Sequence, residues 1–216
     1  MDTRPHEAAA VVFEDDRIIA VCKPAGRVTI PGRGDIGESL NFEIERRLKR
    51  KIYVVHRLDR EASGLVIFAK DGETHRILCA EFETRRVKKE YAAVVTGTLS
   101  GSGEIDKALR EFSSGRVAPA PDGKPALTRW RAERPLRQST LIRVEPLSGR
   151  KHQIRAHLSS LGHPILGDPQ YGPPPRPIGR VKRLMLHALS LTFDAGYVLR
   201  AEPTEDFARV VAGLAA

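Results

Sequence analysis

The sequence predicts an α+β fold, a single domain on a mixed sheet whose strands are scattered among helices rather than alternating with them in regular βαβ repeats. Three observations lead there. Short apolar and β-branched runs recur between amphipathic stretches, hairpin patterns stand near both ends, and no internal repeat or flexible linker divides the 216 residues. The expected organisation is a loose tail over residues 1–10 and one folded domain over residues 11–216.

The elements follow in order. Val11-Val12-Phe13, a polar turn at Glu14-Asp15-Asp16, and Ile18-Ile19-Ala20-Val21 read as a β-hairpin. Lys23-Pro24-Ala25-Gly26 ends its second strand, because proline has no N–H for the ladder. A glycine-rich loop occupies residues 31–37. Leu40, Ile44 and Leu48 recur at four-residue spacing, with Glu43/Arg47 and Glu45/Lys49 as i,i+4 pairs. That pattern predicts an amphipathic helix, and Arg46, Arg47, Lys49, Arg50 and Lys51 crowd its negative C-terminal end. Tyr53-Val54-Val55 and Leu65-Val66-Ile67-Phe68 are short buried strands around a polar stretch, His56-Arg57-Leu58-Asp59-Arg60-Glu61-Ala62-Ser63-Gly64. Residues 74–82 suit a helix and residues 91–95 a strand ended by Gly97. Residues 128–132 and 141–145 are further strands, and residues 152–161 form a helix closed by Gly162. Residues 168–180 are an exposed proline-rich loop. Residues 184–193 and 197–201 flank Asp194-Ala195-Gly196 as a late hairpin, and a last helix begins at Thr204 with Glu205 and Asp206 at its positive end.

Composition narrows the function classes. With 41% hydrophobic and 29% charged residues, wholesale disorder is excluded. No apolar run approaches the roughly 20 residues of a membrane helix. Asp2 and Glu7 spoil the basic region of a secretory signal, so none is expected at the N-terminus. Cys22 and Cys79 lie apart in apolar segments without CxxC spacing, which reads as free thiols in a reducing cytoplasm. The 36 Lys+Arg against 27 Asp+Glu give a net charge of +9, which calls for a polyanionic partner: nucleic acid or an anionic membrane surface.

Several chemical signatures fall away. Gly32-Arg33-Gly34-Asp35-Ile36-Gly37 matches GxGxxG, but Pro31 stands where a dinucleotide fingerprint needs the end of a buried strand. His152, His157 and His163 lack the i,i+4 spacing and the intervening glutamate of a helical zinc site. No GxSxG elbow supports a serine hydrolase. Two places remain. In Arg57-Leu58-Asp59-Arg60 a carboxylate sits between cations in a loop framed by apolar strands. This is either a surface turn with screened ion pairs or a carboxylate suited to act as nucleophile or base. In Gly149-Arg150-Lys151-His152-Gln153-Ile154-Arg155 cationic side chains open a helix, and Arg155, beside Ile154 one turn in, reads as a partly buried arginine that needs a carboxylate partner.

These residues carry a family resemblance. Tyr53-Val54-Val55-His56-Arg57-Leu58-Asp59-Arg60-Glu61-Ala62-Ser63-Gly64-Leu65 resembles the HRLDxxTSGL signature of the RluA-type pseudouridine synthases. Lys23-Pro24-Ala25-Gly26, Lys89-Glu90-Tyr91-Ala92, the run from Gly149 through Arg155 to Ala156-His157, and Leu161-Gly162-His163-Pro164-Ile165-Leu166-Gly167-Asp168 continue it in the family's order. The resemblance implies a mostly antiparallel mixed sheet flanked by helices, with a central active-site cleft. It implies an RNA isomerase that turns uridine into pseudouridine in ribosomal or transfer RNA without cofactor or metal. By resemblance Asp59 is the essential carboxylate, Arg155 its ion-pair partner, and Tyr91 the ring that stacks on uracil, its hydroxyl helping to remove the C5 proton. Ile154 is an apolar wall, and Arg57 fills the space that a flipped base leaves. His56, His152 and Lys151 complete the expected RNA-binding set. Ala62 departs from the family's usual threonine, which costs the loop a hydroxyl and bears on its rigidity. Many relatives carry an N-terminal RNA-binding domain for which this chain has no room. The expected partner is an RNA stem-loop gripped by basic runs at residues 46–51, 85–89, 129–137 and 176–183, with the protein a cytoplasmic monomer that needs no obligate protein partner. The rival reading, a silent RNA-binding or chaperone protein on the same scaffold, would not need Asp59, Tyr91 and Arg155 together.

Overall fold

The computed structural model describes residues 8–32, 39–172 and 181–215. The chain enters through the predicted hairpin, β1 (Ala10–Glu14) and β2 (Ile18–Lys23), followed by α1 (Leu40–Leu48), β3 (Tyr53–Val54) and β4 (Ser63–Ala69). Next come α2 (Gly72–Glu83), β5 (Lys88–Thr96), β6 (Ser102–Asp106), and a small separate hairpin of β7 (Leu109–Glu111) with β8 (Val117–Pro119). The long hairpin β9 (Leu127–Leu136) and β10 (Ser139–Pro146) leads to α3 (Gln153–Ser160). The chain closes with β11 (Leu186–Thr192), β12 (Val198–Arg200) and α4 (Glu205–Leu214).

The main sheet runs β1-β2-β4-β11-β5-β10-β9-β6, with β12 beside β11 and β3 beside β4. Every pairing is antiparallel except β4 with β11. The mixed, mostly antiparallel sheet flanked by helices is therefore as the sequence predicts.

Alternation in β2 and β4 sets the layers, since successive side chains of a strand face opposite sides. Ile19, Val21, Val66 and Phe68 pack with Leu40 and Ile44 of α1. Ile18, Ala20, Leu65 and Ile67 pack on the other side with Leu78 of α2. All seven residues of β4 are buried, which is why it reads as a continuous apolar run. The third cluster joins Val94 and Ile142 of the central strands to Ile154 and Leu158 of α3 and Phe207 and Val211 of α4. Asp71 caps α2 by accepting the Thr74 N–H at 2.8 Å.

Two shifted boundaries concern the first strand and the third helix. Folded structure is already present before residue 11, because Ala9 is buried and Ala10 pairs with Cys22 of β2. Residues 1–7 lie outside the described residues, as do positions 33–38 of the glycine-rich loop and 173–180 of the proline-rich one. The third helix starts at Gln153, since His152 has a left-handed backbone (φ 50°, ψ 20°) and serves as its N-cap. Strands β6, β7 and β8 carry too few apolar residues to be read from periodicity.

Candidate active site

One row of paired residues crosses the sheet: Lys23, Gly64, Ala188, Tyr91, Val144, Trp130 and Gly103. Directly opposed residues share a face, so this row places Lys23, the end of the Asp59 loop and Tyr91 on one side. The only parallel pairing among the described residues lies in it, and it is close. A Cβ on Gly64, whose φ is +113°, would stand 2.3 Å from the Ala188 carbonyl oxygen, so this position requires glycine.

The loop before β4 is tied down at its backbone. The fully buried Lys23 ammonium donates to the carbonyls of Pro24 (3.0 Å), Arg27 (2.7 Å) and Arg60 (3.1 Å). Gly26 N–H donates to the same Arg60 carbonyl, and Thr29 Oγ1 accepts from Leu58 N–H at 3.2 Å. Burial and the nearby charge of Arg183 bring Lys23 down to about 7. Ala62 packs buried in the apolar cluster, so the loop's order here rests on Lys23, Gly26 and Thr29 rather than on a hydroxyl at position 62.

Asp59 leaves this loop toward α3. Arg155, 2% exposed, reaches it from below and donates from Nη1 to Asp59 Oδ2 at 3.0 Å. The rest of the guanidinium is engaged by Asp168, with Nε to Oδ2 at 2.8 Å and Nη2 to Oδ1 at 2.9 Å. Such a fork holds a buried cation in one orientation. Asp168 is itself fixed by the N–H groups of Gln170 and Tyr171. Asp59 Oδ1 accepts no hydrogen bond from the described residues. It opens on a cleft of about 310 Å³ lined by Tyr91, Ile154, Arg155, His152, His56, Arg57, Lys89 and Arg150 among others, a size at the lower end for small-ligand sites. Burial and the negative charge of Asp59 push the Tyr91 hydroxyl up, so it stays a neutral phenol.

The cleft thus holds a carboxylate bonded by a buried arginine, together with a tyrosine that stays neutral. The profile of the RNA pseudouridylate synthase family matches residues 17–160. The chain belongs to this family. Among similar curated proteins, a "Ribosomal large subunit pseudouridine synthase D" of Nitrosomonas europaea is 37% identical over 198 residues, covering 85% of this chain and 58% of its own. A "tRNA pseudouridine synthase C" of Pasteurella multocida is 36% identical over 205 residues, covering 85% and 84%. The solved structure of "Human RNA Pseudouridylate Synthase Domain Containing 1" superposes with a TM-score of 0.78 at 26% identity, covering 93% of this chain and 86% of that one. The chain spans from 54% to 62% of the length of the ribosomal relatives it matches.

Within this chain the expected residues sort clearly. Asp59, Tyr91, Arg155, Ile154, His56, Arg57 and His152 all line the cleft. His56 is a neutral ring there. Its Nε2 accepts the Ile67 N–H at 3.1 Å, it stacks on Phe82, and burial with the Lys89 charge brings it down to about 3. Arg57 is exposed at the mouth without a partner among the described residues. Lys151 does not reach the cleft. Its ammonium pairs with Glu111 of β7, a strand the sequence did not reveal, and it borders a neighbouring groove. His157 is spent on Thr128 and the Lys107 carbonyl, and His163 on the Thr96 carbonyl.

Sequence reasoning missed three contributors. Asp168 was visible only as the end of a motif, Lys23 as a strand terminator, and Lys89 as one member of a charge run. Lys89 lies two residues before Tyr91 on the same strand face, and burial beside Arg85 brings it down to about 8. The run at 129–137 is largely self-neutralised, with Arg129 on Glu104 and Arg131 near Glu133, which also takes Arg143. Arg57, Lys89 and Arg150, all lining the cleft, have no carboxylate partner among the described residues.

Proposed function

We propose that this chain isomerises uridine to pseudouridine in RNA, with Asp59 as the carboxylate that acts at the sugar. The reaction breaks the C1′–N1 bond, turns the uracil over, joins C5 to C1′ and releases the C5 proton. No net electron transfer is involved, and the proposal invokes no cofactor. The observation that carries it is the division of labour on Asp59: Oδ2 is held by a charged arginine while Oδ1 stays free toward the cleft.

The remaining roles follow from position. Ile154 and the Tyr91 ring wall the detached uracil away from water. As a neutral phenol, Tyr91 can take up the C5 proton only while passing its own proton on, and Asp59 is the carboxylate whose charge it feels. His56 offers a flat neutral surface. Arg57, free at the mouth, fills the gap left by the extracted base, whose unstacking costs a few kcal/mol. Lys89 and Arg150 follow the phosphates. The substrate we infer is a ribosomal or transfer RNA stem-loop bound by a cytoplasmic monomer, with Lys151 outside the catalytic contacts.

Mapping pseudouridines in total RNA from cells with and without the protein tests this reading. The expected result is one or a few uridines that lose the modification without it. A protein that binds RNA yet leaves every uridine unchanged would instead be the silent binder on this scaffold.

A further inference from the structure

The Tyr171 side chain has no role so far, yet it is 4% exposed and packs against His152, which lines the cleft. Its ring meets His152 edge-on at 5.6 Å, and the guanidinium groups of Arg155 and Arg116 lie over it at 5.1 and 5.2 Å. Its hydroxyl oxygen accepts the Val117 N–H of β8 at 2.8 Å and lies 3.0 Å from His152 Nδ1. A phenol has one proton to give, and among the described residues no other acceptor is in reach. Donation to Nδ1 is the arrangement that leaves no buried hydroxyl proton unpaired. An accepting Nδ1 puts the ring proton of His152 on Nε2.

That Nε2–H faces Asp59. It lies 3.9 Å from Oδ1, the carboxylate oxygen that Arg155 leaves free. A second observation shows that this aim is imposed. His152 is one of four non-glycine residues with a left-handed backbone among the described residues, and the only one of the four in the cleft. Such a conformation is uncommon outside glycine, asparagine and aspartate, and it persists where the surroundings enforce it.

We propose that His152 is a catalytic residue that donates an Nε2–H hydrogen bond to the uracil oxygen next to N1 as the C1′–N1 bond breaks, and that Tyr171 is the positioning residue that fixes this tautomer. The electron pair of the broken bond passes to the uracil and spreads onto its carbonyl oxygens. The histidine stabilises that charge and gives up no proton. A donor aimed in advance at developing charge is among the stronger catalytic devices a protein has. The proposal rests on the reading of Asp59 above and adds a second partner for the same bond.

The groups facing His152 are Asp59 and Glu61 from the loop before β4, Lys151 and Arg155 from α3 and its approach, Glu111 from β7, and Tyr171. Burial outweighs the two carboxylates and holds the ring below its ordinary value. The neutral ring is the working form, because an imidazolium would be drawn onto Asp59 Oδ1 and would compete with substrate. Removing the Tyr171 proton donor takes away a bond made only to the neutral ring, so His152 should protonate at higher pH.

The test is tritium release from total RNA labelled at uridine C5, with RNA retention on filters measured in parallel and thermal unfolding checked for each variant. His152→Ala should lower kcat about 100-fold, the usual loss for one such donor, with RNA binding unchanged within about twofold. Tyr171→Phe should lower kcat about tenfold and move the acid limb of the rate upward in pH. His152→Asn keeps an N–H, tolerates the left-handed backbone and cannot titrate, so it should recover most of the rate and flatten the acid limb. If Tyr171→Phe keeps the wild-type rate and pH profile, the tautomer lock is overturned. If Tyr171→Phe does not fold, the two His152 variants decide, and a wild-type rate in His152→Ala overturns the donor. Asp59→Asn run alongside separates the two readings: turnover in that variant sinks the role of Asp59, whereas its inactivity beside normal Tyr171 and His152 variants sinks only this inference.

Discussion

Arg155 divides its hydrogen bonds between two carboxylates, with Glu61 farther off at 3.7 Å, and the two should fail in opposite ways. Asp168 is fully buried, holds Arg155 through two bonds of 2.8 and 2.9 Å, and has no solvent to replace them. Asp168→Asn keeps the volume but removes the charge and sets an amide N–H against the guanidinium. Breaking a buried pair from one side costs about 3–5 kcal/mol, and the one remaining carbonyl acceptor puts this variant near 3. For a domain of this size that is a fall in Tm of roughly 6–12 °C. Asp59 is 22% exposed on its side chain and makes a single bond to an arginine that keeps its other partner. Asp59→Asn should therefore cost about 1 kcal/mol or less. Thermal unfolding of both variants, read by circular dichroism against the wild type, makes the comparison. An Asp168→Asn protein that melts with the wild type, or an Asp59→Asn protein that melts lower than Asp168→Asn, would refute the assignment of Asp168 as anchor and Asp59 as the free end.

Other outcomes follow from the same contacts. Tyr91→Phe keeps the ring and loses the hydroxyl, so RNA binding should hold within about twofold while turnover falls about 100-fold; full activity would leave Tyr91 as a stacking surface alone. Gly64→Ala drives a methyl into the Ala188 backbone and cannot hold φ +113°, so it should unfold the domain or cost about 3 kcal/mol in urea titrations, and a wild-type midpoint would contradict the close parallel contact. Buried His187 is brought down to about 4 and His56 to about 3, chiefly by burial, against 6.5 unfolded. Stability is highest above pH 6.5 and falls as pH drops toward 4, because the unfolded chain protonates these rings and the folded one does not. These two rings alone account for a slope of about 2.7 kcal/mol per pH unit, of which His187→Gln should remove about half, and a flat stability between pH 7 and 5 would exclude it. An excised stem-loop should react within about threefold of the intact RNA at matched salt, because loop bases are splayed and easier to extract than paired ones. Reaction only with the intact RNA or an assembled particle would show that recognition extends beyond the cleft.

What the sequence made legible follows local rules. The α1 and α2 helices, the two apolar strands β2 and β4, and the hairpins at both ends announce themselves by periodicity or by turn residues, and the structure has them all. Strand β6 carries one buried apolar residue, Ile105, and β7 and β8 are three residues each, too short for any alternation to register. That omission had a consequence, because Glu111 on β7 is what takes Lys151 away from the cleft. The need of Arg155 for a carboxylate was readable from its place beside Ile154. Which carboxylate holds it most firmly was not, because Asp168 comes back to α3 through the tight turn at Gly167, where a Cβ would strike the Arg183 carbonyl. Lys23 illustrates the same limit: the carbonyls of Pro24 and Arg27 close by and of Arg60 37 residues away converge on its ammonium, and no spacing in the sequence signals such a convergence.

The central claim is that the Asp59 carboxylate, held by Arg155 and open to the cleft at its other oxygen, carries out the isomerisation. Tritium release from RNA labelled at uridine C5 measures the one hydrogen that must leave when C5 joins the sugar. The wild-type protein should release it in proportion to pseudouridine formed. Asp59→Asn should bind the same RNA, melt within a few degrees of the wild type, and release none. Release by Asp59→Asn at the wild-type rate would contradict the account.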